Sequence, residues 1–209
     1  VSALQTVQRI KPGMRFDEVT KEFFRRVART QSAPASWVAR RAGNLVLRLV
    51  ISRAARKSPV IDAMLRDTIT TTVVRAGDKA NVSPDEASAI LDVRLLPSTD
   101  PGKFLKEFRS AIGDDGVSVE ALETVPSSPP SPMDSALFRA FERAVSTHVP
   151  GAITTPIQTP VATDSRFFRL MDVKAYGLLP AMMTAEDLQT IHGANERISL
   201  DNLTLGVKI

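Results

Sequence analysis

The sequence predicts an α+β protein: a small antiparallel sheet with helices on one face, followed by a second α/β piece. Three observations carry this reading. Two strand-like runs follow each other at Thr68–Arg75 and Ala87–Leu95, a capped helical stretch comes next, and a proline-rich segment at 126–132 then separates a further set of amphipathic stretches. The order helix, strand, strand, helix, strand over residues 1–125 describes a split βαβ layout.

Residues 1–9 carry Val1, Leu4 and Val7 at helical spacing and stop before Lys11-Pro12-Gly13, so they read as the end of a helix. Phe16, Val19, Phe23, Phe24 and Val27 form a second helical stripe, and 37–57 can form another amphipathic helix around Leu45, Leu47 and Leu49. Thr68 to Arg75 is rich in β-branched residues, whose stiff side chains suit a pleated surface, and Gly77-Asp78 supplies a turn. Ala87, Ala89, Leu91, Val93 and Leu95 alternate with Ser88, Ile90, Asp92 and Arg94, which predicts the second strand. Asp100 is placed to cap a helix with Pro101 at its first position, and Phe104, Leu105, Phe108 and Ile112 recur at helical spacing up to Gly113. Val117, Val119 and Ala121 then predict a third strand.

The prolines of 126–132 hold the chain extended and mark a boundary. Beyond it, Ser131 and Pro132 predict a helix start, with Leu137, Phe138, Phe141 and Val145 on one face. Thr154–Ile157 and Val173–Leu178 read as strands, Arg166–Met171 as a short helix, and Ser199 opens a last helix. The expected division is therefore 1–125 with a basic helical insertion at about 11–66, a linker at 126–132, and a second part at 133–209.

Composition narrows the function classes. The chain has 209 residues, 43% of them hydrophobic and 24% charged, which is ordinary globular composition and excludes disorder as the main state. No cysteine is present, which excludes disulfides and thiolate metal sites. No apolar run reaches the ~20 residues that cross a bilayer, the stretch Leu45–Ile51 being broken by Arg48. The start at Val1 and the close inside an amphipathic segment lead us to expect that both ends are cut. Net charge is only +4, but from Lys21 to Lys57 ten basic residues face a single acid, Glu22.

Only two histidines exist. His148 falls at the end of a helix, where an imidazole interacts with the helix C-terminus. His192 lies in His192-Gly193-Ala194-Asn195-Glu196-Arg197-Ile198, where the glycine permits close approach of backbone or ligand; a packed histidine and a metal ligand are both compatible with that position.

Three motifs occur in order: Gly77-x-Lys79-x-Asn81-Val82-x-Pro84 followed by Asp92-x-Arg94, Thr163-Asp164-Ser165-Arg166, and His192-Gly193-x-Asn195-Glu196-Arg197-Ile198. In this order they resemble the zinc-dependent exopeptidases and amidohydrolases of the carboxypeptidase S, aminoacylase and succinyl-diaminopimelate desuccinylase family, closest to its carboxypeptidase S-like branch. The resemblance runs from about Thr68 to Ile209. It implies a ferredoxin-like lid and dimerisation domain followed by the C-terminal portion of an α/β catalytic domain. It also implies a site with two zinc ions that share and acidify a bridging water and polarise the scissile carbonyl. By the same resemblance His192 matches a zinc ligand, Arg166 the arginine that binds the substrate's free carboxylate through its planar fork, and Asn81 and Arg94 two further substrate contacts. Asp92 and Arg94 share a strand face, so a plain surface ion pair is the alternative for Arg94.

The sequence departs from that family by absence: it contains no His-x-Asp pair and no adjacent Glu-Glu. One histidine cannot supply the roughly four ligands zinc needs or the base a hydrolase needs. The expectation is thus a piece of a metallohydrolase acting on a small peptide or N-acyl amino acid with a free carboxylate, itself inactive, with no catalytic residue of its own and with a lid able to form a homodimer. The alternative is a basic module for nucleic acid or an anionic membrane surface. No strand carries the exposed aromatic pair of an RNA-binding sheet, so a nucleic-acid partner is not expected.

Overall fold

Alternating helical and strand patterning in the first half of the chain resolves, in the computed structural model, into five helices followed by a hairpin. The structure describes residues 2–33, 35–41, 44–159 and 163–209. Helix α1 spans Ser2–Arg9, α2 Glu18–Val27, α3 Ala35–Arg40, α4 Leu45–Ala55 and α5 Pro59–Leu65. Strands β1 (Thr68–Ala76) and β2 (Ala87–Arg94) follow, then α6 (Pro101–Ile112), α7 (Ala136–His148), α8 (Ser165–Leu170), α9 (Ala185–Thr190) and α10 (Leu200–Lys208). The predicted helix over 37–57 is two helices, and positions 42 and 43 within it lie outside the described residues, as does Val1.

Helices α2 and α6 begin where a side chain satisfies a free N–H group. Asp17 accepts from the Thr20 amide at 2.8 Å and Asp100 from the Lys103 amide at 2.6 Å. At the other end of α6, Gly113 takes φ +58, the left-handed conformation that a glycine adopts without steric cost, and its N–H reaches the Arg109 carbonyl.

The core lies among α2, α4 and α5, where Phe16, Ile51, Ala55 and Leu65 are buried with Met14, Phe24 and Ile61 against them. The Phe16 and Phe24 rings stand 6.2 Å apart. Just before β1 sits a buried carboxylate: Asp67, 3% exposed, accepts from the Leu96 amide at 2.7 Å and the Thr99 hydroxyl at 2.8 Å, with the Arg15 guanidinium 3.8 Å away. This joins the entry of β1 to the exit of β2.

Strands β1 and β2 are antiparallel, from Thr68 opposite Arg94 to Ala76 opposite Ala87, with an irregularity between Thr71 and Val73. The hairpin is partly covered near its root and exposed toward its tip. The predicted third strand does not form: among the described residues the sheet has two strands. In that segment the Val119 carbonyl accepts from Arg109 Nε and Nη2 at 3.0 and 2.7 Å, so a side chain and not a neighbouring strand is its partner.

Two further strand expectations fail for a similar reason. Within 173–178, Ala175 pairs through both its N–H (3.0 Å) and its carbonyl (2.9 Å) with the Ser131 hydroxyl instead of another backbone. Within 154–157, the Thr154 carbonyl accepts from Arg26 at 3.0 Å. The helix expected to start at Ser131-Pro132 starts at Ala136, capped by Ser135, whose hydroxyl accepts from the Phe138 amide at 3.0 Å. Ser131 is not available as a cap because it is bonded to Ala175.

Candidate active-site segment

The loop that carries His192 is defined by the helix before it. Helix α9 begins with a capping box: the Thr184 hydroxyl accepts from the Asp187 amide at 3.1 Å while the Asp187 carboxylate accepts from the Thr184 amide at 3.0 Å. The Thr184 hydroxyl also donates to this carboxylate at 2.7 Å, and the bonds from the Thr184 backbone and hydroxyl hold the Asp187 carboxyl below its ordinary range. The helix ends at Thr190, whose carbonyl accepts from the Gly193 N–H at 2.8 Å. His192, at the corner of this turn, takes φ +64. A side chain other than glycine's rarely occupies that region, and histidine is among the residues that tolerate it. Gly193 packs closely here: a Cβ there would lie 3.0 Å from the Thr190 carbonyl oxygen, tighter than most Cβ contacts. Arg197 returns to Glu186 of α9 at 3.2 Å and fixes the far side of the loop. The imidazole is exposed, and among the described residues no hydrogen bond holds either ring nitrogen.

Arg166 stands in the first turn of α8, its N–H on the Thr163 carbonyl at 3.3 Å. Its guanidinium lies over the Phe167 ring, 4.7 Å from the centroid, and its Nε is buried without a hydrogen-bond partner among the described residues. Asn81 is exposed in the connection between β1 and β2. Arg94, the last residue of β2, donates through Nε to the Asp92 carboxylate at 2.9 Å.

Two hollows among the described residues are lined by none of these four side chains. One, of about 290 Å³, lies between α7 and α10 beside His148, Asp201 and Lys208. The other, of about 640 Å³, lies behind the C-terminal end of α6, between Arg109 and Glu120. His148 thus faces the last helix from the end of its own.

Residues 30–120 match the M20 family described as the peptidase dimerisation domain. They belong to the M20 peptidase dimerisation family. The chain is 29% identical over 156 residues to the probable carboxypeptidase S-like 2 of Dictyostelium discoideum, covering 73% of this chain and 30% of that protein. It is 31% identical over 162 residues to the N-fatty-acyl-amino acid synthase/hydrolase PM20D1 of Homo sapiens, covering 76% of this chain and 32% of that one. The chain therefore spans about a third of the length of the curated relatives it matches. Among solved structures it resembles the M20 family metallo-carboxypeptidase Sso-CP2 of Sulfolobus solfataricus, with a TM-score of 0.60 at 16% identity, covering 99% of this chain and 49% of that one. That likeness concerns the fold.

Asn81 and Arg94 fall inside the matched M20 segment, while Arg166 and His192 lie after it. Among the described residues no group of three or more His, Asp or Glu side chains is arranged to hold a metal ion.

One structural junction escaped the sequence reading. Arg26 of α2 pairs with Glu22 at 2.5 Å and with Glu142 of α7, and also donates to the Thr154 carbonyl. Asp17 accepts from Gln158 alongside it. The i,i+4 spacing of Glu22 and Arg26 is visible in the sequence; the contact to α7 is not.

Proposed function

We propose that this chain is a part of a metal-dependent peptidase or N-acyl amino acid hydrolase that cleaves an amide bond next to a free carboxylate. In this reading His192 is one ligand to one of two zinc ions, with the remaining ligands supplied by the rest of a longer protein. Arg166 binds the substrate carboxylate, and Asn81 and Arg94 reach the substrate from the hairpin. The M20 hairpin region also forms a homodimer by pairing across an open sheet edge. The proposed division is a lid and dimerisation part at 1–125, carrying the insertion at about 11–66, a linker at 126–132 and a catalytic part at 133–209.

The observation that carries the reading is the turn at Thr190–Gly193. A positive φ at a non-glycine residue costs free energy, on the order of 1 kcal/mol or more, and such conformations concentrate where a side chain must be aimed. Here a capping box, the Gly193 close approach and the Arg197–Glu186 pair all fix the backbone, yet the imidazole itself is left exposed. The buried, unpartnered Nε of Arg166 supports the second role, since a guanidinium with unmet donors is suited to a carboxylate.

The 209-residue chain alone should hydrolyse neither a dipeptide nor an N-acyl amino acid. In the complete polypeptide, His192→Ala should lower bound zinc, measured by elemental analysis after gel filtration, and Arg166→Met should raise KM for carboxylate-bearing substrates. Full zinc content in the His192 variant would remove the ligand assignment.

A further inference from the structure

We propose that the outer face of α3 and α4 is a docking surface for an anionic lipid bilayer. From Phe23 to Lys57 the sequence contains no acidic residue, so every charge on these two helices is positive. Arg40, Arg41, Arg53, Arg56 and Lys57 are exposed, and among the described residues no ion pair engages them. A uniformly cationic surface of this kind is attracted to the negative potential of anionic headgroups.

Charge alone does not choose lipid; the apolar residues do. Helix α4 is held to the body by Ile51 and Ala55, which are buried in the core. At the 100° advance per residue of an α-helix, Leu49, Val50 and Arg53 project from the opposite side. Leu49 is 74% exposed and Val50 52% exposed. Trp37 on α3 is 51% exposed, and the Arg41 guanidinium lies 4.5 Å from its ring centroid. Exposed leucine, valine and tryptophan interleaved along the sequence with exposed arginines suit a surface that seats its apolar groups at the acyl boundary and its cations among the phosphates. A single-stranded nucleic acid would ask for several open aromatic faces. Trp37 is the only aromatic residue on these helices, and one of its faces is already covered by Arg41.

The chain supplies its own probe, because Trp37 is its only tryptophan. The intact 209-residue chain should sediment with vesicles of phosphatidylcholine and phosphatidylserine but not with phosphatidylcholine alone. On binding, Trp37 emission should move to shorter wavelength and be quenched by brominated acyl chains. Neutralising Arg40, Arg41, Arg53 and Arg56 to glutamine should lower partitioning by about fivefold per residue. The double variant Leu49→Ser/Val50→Ser should lower it at least about tenfold while leaving the charge untouched. The proposal is overturned if the unmodified chain ignores phosphatidylserine, or if it binds without quenching of Trp37, a measurement that needs no variant to fold. It is equally overturned if poly(U) or an acidic peptide binds as well as the vesicles do and the Leu49→Ser/Val50→Ser variant matches the parent, which would make the surface a general polyanion site.

Discussion

Asp67 illustrates how one residue can hold two elements together. Its carboxylate is buried and accepts from the Leu96 amide and the Thr99 hydroxyl, with Arg15 completing the surroundings. Asp67→Ala would leave an amide and a hydroxyl without their acceptor and deprive Arg15 of its counter-charge, which should cost about 3 kcal/mol in chemical denaturation. Asp67→Asn keeps one acceptor oxygen for both donors and should cost about half as much. At His192 and Gly193 the sequence was half legible. A glycine beside the imidazole pointed to a close backbone approach, and the Thr190 carbonyl is that neighbour. The positive φ, however, falls on the histidine and not on the glycine, and no residue pattern distinguishes which of two adjacent positions takes the strain. Gly193→Ala should therefore loosen the turn, seen as faster amide exchange from Thr190 to Glu196, with the rest of the protection pattern unchanged.

Among the elements, α6 was the most legible because every signal for it is local. Asp100, Pro101, the Phe104–Phe108 spacing and Gly113 all act within the helix, and the cap bond and the left-handed C-terminus appear where the residues put them. Asp100→Ala should cost about 1 kcal/mol, read from the midpoint of denaturant unfolding. The 117–121 segment shows the opposite case. Its alternation satisfies the strand pattern, but a strand also needs a partner, and the Val119 carbonyl is paired with the Arg109 guanidinium. Ser131 misled in the same way, its hydroxyl being engaged by Ala175 across 44 positions of sequence. Local caps can be read from residue order; long-range acceptors cannot.

At the scale of the whole molecule, Arg26 ties α2 to the C-terminal part. Burial alone would push the Glu22 carboxyl up, but hydrogen bonds from Arg26 and Arg25 outweigh it and hold the group below its ordinary value. Burial likewise opposes the charge on Arg26, and its bonds to Glu22 and Glu142 outweigh that cost. A carboxyl whose pKa is lower folded than unfolded contributes stability that is full above its unfolded value and disappears as pH falls through the folded one. Acidification below the ordinary carboxylate range should therefore remove the stability that Glu22 contributes through Arg26 and Arg25, and the loss should be smaller in Glu22→Gln, which has no such proton to take up. Arg26→Met separates this effect from general acid sensitivity. It leaves Glu22 and Glu142 facing each other across a part-buried gap and frees the Thr154 carbonyl, so it should destabilise the protein at neutral pH by about 2 kcal/mol and flatten the acid dependence. If limited proteolysis of that variant shows no new cleavage between residues 148 and 159, the junction does not hold the C-terminal part in place and the two halves are joined by other contacts.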